Sequence, residues 1–172
     1  IWSKRPKDLI KPFFSLSNKD TGQNPQEKIN KVKNILLKNK ADYLLVTAPE
    51  NVAWILNIRG YDSEFSPIPN ARLLINSKGN VDLFSQTKKF IKIKKNFSKK
   101  IKFYYEHKIE KKLRNLWKNN IWLDSLSCSV YYKSLLAKNN RIIQKIDPIY
   151  FFKSIKNPTE IKNMKKSHMI DG

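Results

Sequence analysis

Residues 41–75 read ADYLLVTAPENVAWILNIRGYDSEFSPIPNARLLI, and the order of elements in this stretch decides the fold. The run 42–47 is short, apolar and bounded by Lys40 and Pro49, which predicts a strand buried on both faces and central in its sheet. Pro49-Glu50-Asn51 then opens a helix, because proline is tolerated in the first turn and Glu50 complements the positive end of the helix dipole. Val52, Ile55 and Leu56 form its expected buried face, and Gly60 is the expected terminator as a residue permissive for positive φ. A loop over 61–70, stiffened by Pro67 and Pro69, leads to a second strand at 72–75.

Toward the N-terminus, Asn24 can cap a helix with Pro25 at its first position and Glu27 in its first turn. Ile29, Val32, Ile35 and Leu36 supply that helix with one buried stripe. Residues 1–24 are polar and interrupted by Pro6, Pro12 and Gly22, so they read as a linker with a short apolar anchor at Phe13-Phe14. Toward the C-terminus, strands at 72–75 and 81–84 flank a hairpin turn in which Gly79 serves as a left-handed residue. The pattern then alternates: helix 90–97, strand 101–105, helix 109–117, strand 121–123, helix 130–137, strand 141–143 and, after Asp147-Pro148, helix 149–155. Asn157-Pro158 breaks the chain before a last helical segment with Ile161, Met164 and His168 at helical spacing. The expected architecture is α/β, with a mixed sheet because a hairpin interrupts the alternation, flanked by helices on both faces.

The chain has 172 residues, 40% of them hydrophobic, enough for one domain with a real core and too few for three. Its formal charge of +21 would suit nucleic acid or an anionic membrane. Against that, only Arg5, Arg59, Arg72, Arg114 and Arg141 among the 35 basic residues carry the guanidinium fork that phosphate recognition favours. The densest basic run, 88–102, interleaves Phe90 and Phe97 and is followed by Phe103, a pattern shared by single-strand binding surfaces and by ordinary amphipathic burial. Nucleic acid is therefore not the expected partner, and no apolar run is long enough to span a bilayer. Cys128 is alone, so no intrachain disulfide can form, which fits a reducing, cytoplasmic compartment. It reads as a small residue at a helix start. With four glycines and no glycine-rich phosphate loop, a nucleotide-binding fold has little to build on.

Three motifs in order carry a resemblance. Val52-Ala53-Trp54-Ile55-Leu56-Asn57-Ile58-Arg59-Gly60 is similar to the signature helix of the middle domain of three-domain Xaa-Pro aminopeptidases (aminopeptidase P). SIKNPTEIKNMKKSHMIDG, residues 154–172, resembles the family's junction into its pita-bread catalytic domain. Ile1-Trp2 with Arg5-Pro6 looks like the exit from a preceding domain, and Thr21-Gly22 like the entry to this one. The resemblance implies a creatinase/prolidase-like N-terminal domain over 25–157, a linker over 1–24, and the first catalytic-domain helix over 158–172, within a longer protein. It also implies hydrolysis of the bond before proline in peptides, by a hydroxide held between two divalent metals, usually manganese. Its Asp, Asp, His, Glu, Glu ligand set would follow Gly172, so no catalytic and no metal residue is assigned to this chain.

The family loop after the signature helix faces the substrate cleft, which makes Arg59, Tyr61 and Asp62, with Glu64 beside them, the candidate cleft residues. A local Arg59–Asp62 ion pair that stiffens the loop is the competing reading. Trp54 and Asn57 read as core and helix-capping residues, His107 as a surface residue at a helix start, and His168 as a packing or positioning residue of the last helix. The function expected from the resemblance is a non-catalytic domain that shapes the peptide cleft of an aminopeptidase, with a homodimer left open. The alternatives are the N-terminal domain of a creatinase- or prolidase-type hydrolase and a stand-alone basic module for RNA or anions.

Overall fold

A computed structural model describes residues 11–172. In chain order the elements are β1 (Phe14–Ser15), α1 (Asn18–Thr21), α2 (Pro25–Lys38), β2 (Tyr43–Val46), α3 (Pro49–Leu56), β3 (Ile58–Arg59), β4 (Arg72–Asn76), β5 (Val81–Ser85) and α4 (Thr87–Phe90). A single 3₁₀ turn (Lys94–Asn96) precedes β6 (Ile101–Tyr105), α5 (Lys108–Arg114), β7 (Asn120–Leu123), α6 (Val130–Ala137), β8 (Arg141–Gln144), α7 (Pro148–Ser154) and α8 (Pro158–Asp171).

Six strands form one sheet in the order β6-β5-β4-β2-β7-β8, with β1 and β3 in a separate antiparallel pair. The sheet is mixed: β4 lies antiparallel to both β2 and β5, whereas β7 lies parallel to β2, β8 to β7 and β6 to β5. Strand β2 is central, and Leu44, Leu45 and Val46 are all buried, so the apolar run of 42–47 does pack on two faces. On one face Leu44, Val46, Leu73, Ile75 and Leu83 meet α2, α3 and α7 through Ile29, Val32, Leu36, Val52, Ile55 and Ile149. On the other Leu45, Leu74, Phe84, Ile121 and Leu123 meet α5 and α6 through Ile109, Leu113, Leu135 and Leu136.

The Asx-Pro helix starts at Asn24 and Asp147 act as the sequence predicts, and Asn157-Pro158, expected as a break, caps a helix in the same way. Asn24 accepts from Glu27 N at 2.9 Å, Asp147 from Ile149 N at 2.9 Å and Asn157 from Glu160 N at 3.0 Å. Gly79 turns the β4–β5 hairpin at φ +83°.

Four local expectations are corrected. The helix expected over 90–97 is α4 plus one 3₁₀ turn: Lys88, Lys89, Lys92, Lys94 and Lys95 would repel along a continuous helix, and neither piece has an acidic first turn or a side-chain cap. The helix expected to reach Trp117 ends at Arg114, because Asn140 Nδ2 takes the Leu116 carbonyl at 2.9 Å and Asn119 Nδ2 takes that of Trp117 at 2.8 Å. In the segment before α2, only Phe13 of the anchor pair is buried, and residues 18–21 form a helical turn closed by a Ser17/Asp20 capping box and by Gly22 at φ +68°. The signature helix stops at Leu56, and its terminator is Asn57 rather than Gly60. Ile1-Trp2 and Arg5-Pro6 lie outside the described residues.

Replacing Leu45 by Asp should lower stability by about 3 kcal/mol or more, because a charge placed between β2 and the α5–α6 layer has no partner. Urea unfolding followed by far-UV circular dichroism measures it; an unchanged midpoint would remove the two-faced central strand.

Candidate functional site

Helix α3 ends where Asn57 adopts φ 52° and ψ 38°, a left-handed conformation that asparagine tolerates better than most residues. The turn is held from beneath. Lys28 of α2, only 1% exposed, donates its ammonium to the Trp54 carbonyl at 2.9 Å and to Asn57 Oδ1 at 2.6 Å. The same nitrogen lies 4.2 Å from the centre of the Trp54 ring, a cation–π contact. Burial pushes the Lys28 pKa down to about 8, against the opposing pull of Glu160. Asn57 Nδ2 donates to Thr21 Oγ1 at 3.0 Å and to the Gln23 carbonyl at 2.8 Å, so all polar atoms of the cap are used.

The left-handed turn sends Ile58–Arg59 antiparallel onto Phe14–Ser15. Arg59 folds back toward the helix it follows: its Nη1 donates to the carbonyls of Ala53 at 3.2 Å and Ile58 at 2.9 Å, and burial lowers its pKa. Gly60 is required by proximity, since a Cβ there would lie 2.8 Å from Pro69 Cα and 3.1 Å from the Ile68 oxygen. Asp62 closes the loop by accepting from Asn70 N at 2.6 Å and by an ion pair with Lys89 at the end of α4. The two side chains of that pair are 10% and 4% exposed. The expected Arg59–Asp62 pair is therefore not formed: each residue holds a different part of the loop's base. Of the three candidate cleft residues only Tyr61 points outward, 51% exposed, against Phe14 at 5.4 Å between ring centres and with Lys11 over its ring. Beyond it Glu64 is exposed and Phe65 is 91% exposed at the loop's tip. Sequence reasoning missed Phe65, whose signal was an aromatic residue flanked by Glu64 and Ser66 in a proline-bounded loop.

The same end of α3 meets α8. Trp54 Nε1 donates to Glu160 Oε1 at 3.2 Å, Asn157 Nδ2 to the Thr21 carbonyl at 2.8 Å, and Asn163 Nδ2 to the Asp20 carbonyl at 2.9 Å. Gly22 permits this approach, for a Cβ would collide with the Asn157 side chain and lie 2.7 Å from Thr159 Cβ. A groove of about 360 Å³ between α8 and the body of the domain is lined by Trp54, Lys153, Glu160, Met164 and His168. His168 is exposed on α8, and His107 is exposed at the start of α5, stacked on Tyr105. Among the described residues no group of three or more His, Cys, Asp or Glu side chains could hold a metal ion, so these residues do not fit a dinuclear centre. Cys128 is buried, its thiol pushed up to about 11 by desolvation, which makes it a packing residue rather than a nucleophile. No helix of the described residues is long and apolar enough to cross a membrane.

These features define a class: a small α/β domain whose polar clusters hold a loop and a trailing helix in place. The family profile described as the Creatinase/Prolidase N-terminal domain matches residues 4–160, and the chain belongs to that family. It is 32% identical over 168 residues to Xaa-Pro aminopeptidase 1 of Dictyostelium discoideum, covering 96% of this chain and 26% of that protein. It is 29% identical over 180 residues to Xaa-Pro aminopeptidase ApepP of Drosophila melanogaster, covering all of this chain and 29% of that one. The chain thus spans little more than a quarter of these relatives. Among solved structures, X-prolyl aminopeptidase from Caenorhabditis elegans, described as a cytosolic enzyme with a di-nuclear active site, matches with a TM-score of 0.85 at 22% identity, covering 97% of this chain and 28% of that one. The isolated N-terminal domain of cytoplasmic peptidase PepQ from Mycobacterium tuberculosis H37Rv matches with a TM-score of 0.53 at 13% identity, covering 73% of this chain and 97% of that one.

Two outcomes follow from the geometry. Lys89→Met leaves Asp62 buried without its counter-charge and should cost about 3 kcal/mol, whereas Lys89→Met with Asp62→Leu should recover most of that loss; chemical denaturation of both variants measures the difference. Lys28 keeps its proton more weakly when folded than when unfolded, so stability should rise with pH between about 8 and the ordinary lysine value of 10.5. Lys28→Met should remove that rise relative to the parent in a pH series of melting temperatures, and parallel curves would show that the buried ammonium does not titrate there.

Proposed function

We propose that this chain is the non-catalytic, cleft-shaping domain of an Xaa-Pro aminopeptidase, an enzyme that removes the residue preceding proline from the start of a peptide. The observation that carries the reading is the 32% identity to a Dictyostelium protein of that name across 96% of the chain. In this reading 25–157 is the folded domain, 1–24 leads in from another domain, and 158–172 starts the catalytic one. The junction bonds of α8 to Asp20, Thr21 and Trp54 support a fixed angle between this domain and whatever follows α8.

The loop after α3 then faces the peptide. Tyr61, Glu64 and Phe65 are the groups exposed for contact, and Arg59 and Asp62 act as positioning residues through the helix end and Lys89. Two divalent metal ions, manganese the first to test, would activate water on ligands outside this chain. A loop that narrows the mouth of the cleft favours short peptides over folded proteins. We place the enzyme in the cytosol, in line with the description of the nematode enzyme as cytosolic.

The test is release of the first residue from an Xaa-Pro peptide by the 172-residue chain and by the full product of its gene, each with added manganese. No release by the chain and metal-dependent release by the gene product are expected. Turnover by the chain alone, or none by the longer product with any divalent metal, overturns the reading. In the active product, Tyr61→Ala with Phe65→Ala should raise KM several-fold and leave metal content unchanged.

A further inference from the structure

Strand β6 is the outermost strand of the sheet on one side, and α5 runs beside it on the face that carries Phe84 and Tyr104. The parallel ladder to β5 begins with Val81 N donating to the Lys100 carbonyl at 2.9 Å and ends with Glu106 N donating to the Ser85 carbonyl at 3.0 Å. In such a ladder alternate residues bond inward, so Lys100, Lys102, Tyr104 and Glu106 face β5. Phe103 and Tyr105 turn their N–H and C=O groups to the outer edge, where no strand lies among the described residues.

That edge borders a groove of about 370 Å³. Its floor is Phe84 and Tyr104, stacked with ring centres 5.4 Å apart, and its far wall is a lysine stripe on α5, Lys108, Lys111 and Lys112, at one-turn spacing. Lys112 pairs with Asp82 at 2.8 Å, while Lys108 and Lys111 are exposed and have no carboxylate within salt-bridge distance among the described residues. Within β6, Lys102 stands two positions before Tyr104 and so shares its face of the sheet.

We infer that the groove between β6 and α5 binds an extended acidic peptide segment of a partner protein. The segment adds a strand to the free edge of β6, its backbone bonded to Phe103 and Tyr105, and sets alternate carboxylates against Lys108 and Lys111. Strand edges left open invite pairing, and the local charge selects an anionic partner. Lysines, which grip phosphate less specifically than arginines, and a backbone edge parallel to the groove favour peptide over single-stranded nucleic acid. The inference does not depend on the aminopeptidase reading.

The test uses a fluorescein-labelled hexapeptide of alternating Asp and Val, read by anisotropy, with a copy N-methylated at alternate backbone nitrogens and a six-nucleotide oligo-U as competitors. The hexapeptide should bind and weaken as salt rises. Lys108→Glu with Lys111→Glu should reduce its affinity tenfold or more, while the melting temperature of this surface variant stays within a few degrees of the parent. Its binding should also protect the Phe103 and Tyr105 amides from hydrogen exchange. Absence of binding, equal binding by the N-methylated copy, indifference to the two charge reversals, or tighter binding of oligo-U through the same lysines would each overturn the proposal.

Discussion

One buried ammonium organises this domain. Lys28 brings a positive charge beneath the C-terminal end of α3, where the last carbonyls lack helical partners, and there it meets the Trp54 carbonyl, the Asn57 amide oxygen and the Trp54 ring at once. Burying an ion costs several kcal/mol unless its donors are satisfied, and the depressed pKa of Lys28 is the residue of that cost. With its oxygen held by Lys28, the Asn57 amide has only its two N–H donors left, and these fasten Thr21 and Gln23. Thr21 in turn presents its carbonyl to Asn157, at the head of α8. A single left-handed residue thereby ties α2, α3, the segment before α2 and α8 to one point, and it also aims the chain into the loop.

The sheet's own crevice, by contrast, is closed. Helix α3 leaves β2 toward one face and α6 leaves β7 toward the other, so the C-terminal ends of these two parallel strands form a switch point, the usual ligand site of an open α/β sheet. Here the polar groups at that point satisfy one another. Thr47 and Ser127 share a hydrogen bond of 3.0 Å; Asp124 accepts from the amides of Leu126 and Asp147 at 2.9 and 3.0 Å; Asp147 accepts from Asn51 at 2.9 Å. Burial pushes the Asp147 carboxyl up to about 6, opposed by the donors of Ile149 and Asn51. A cluster so closed serves to fasten α7 to the sheet.

What could be read from the sequence were features that depend on neighbours in the chain. The buried run at 42–47, the capped Asx-Pro helix starts and the hairpin with Gly79 are local patterns, and each appears where the pattern puts it. The misreadings share a different cause. Gly60 is the expected helix terminator because glycine commonly serves there, but Asn57, which the sequence also reads as a helix-capping residue, is the left-handed one, and a lysine 29 positions away holds it. The loss of side-chain volume at Gly60 answers instead to Pro69 and Phe13, which approach from other segments. A spacing of three residues suggests Arg59 as a partner for Asp62, the competing reading of the loop, whereas its counter-charge comes from Lys89, a residue the sequence offers only as one of a run of lysines. Long-range polar partners leave no period in the chain, so no reading of spacing recovers them.

The same consideration bears on the charge of +21. If lysines merely filled solvated positions, none would carry structure, yet Lys28 and Lys89 are buried among the described residues, and each anchors one end of the segment from the α3 terminus to Asp62. Both reach their partners from elements outside that segment, so charges in α2 and α4 hold the loop's base alongside its own Gly60–Pro67 backbone bond. A loop held in this way can vary its tip, at Tyr61, Glu64 and Phe65, without losing its base. Tip and support are thus separable: the bonds made by Lys28 beneath the end of α3 and by Lys89 to Asp62 involve no atom of the tip.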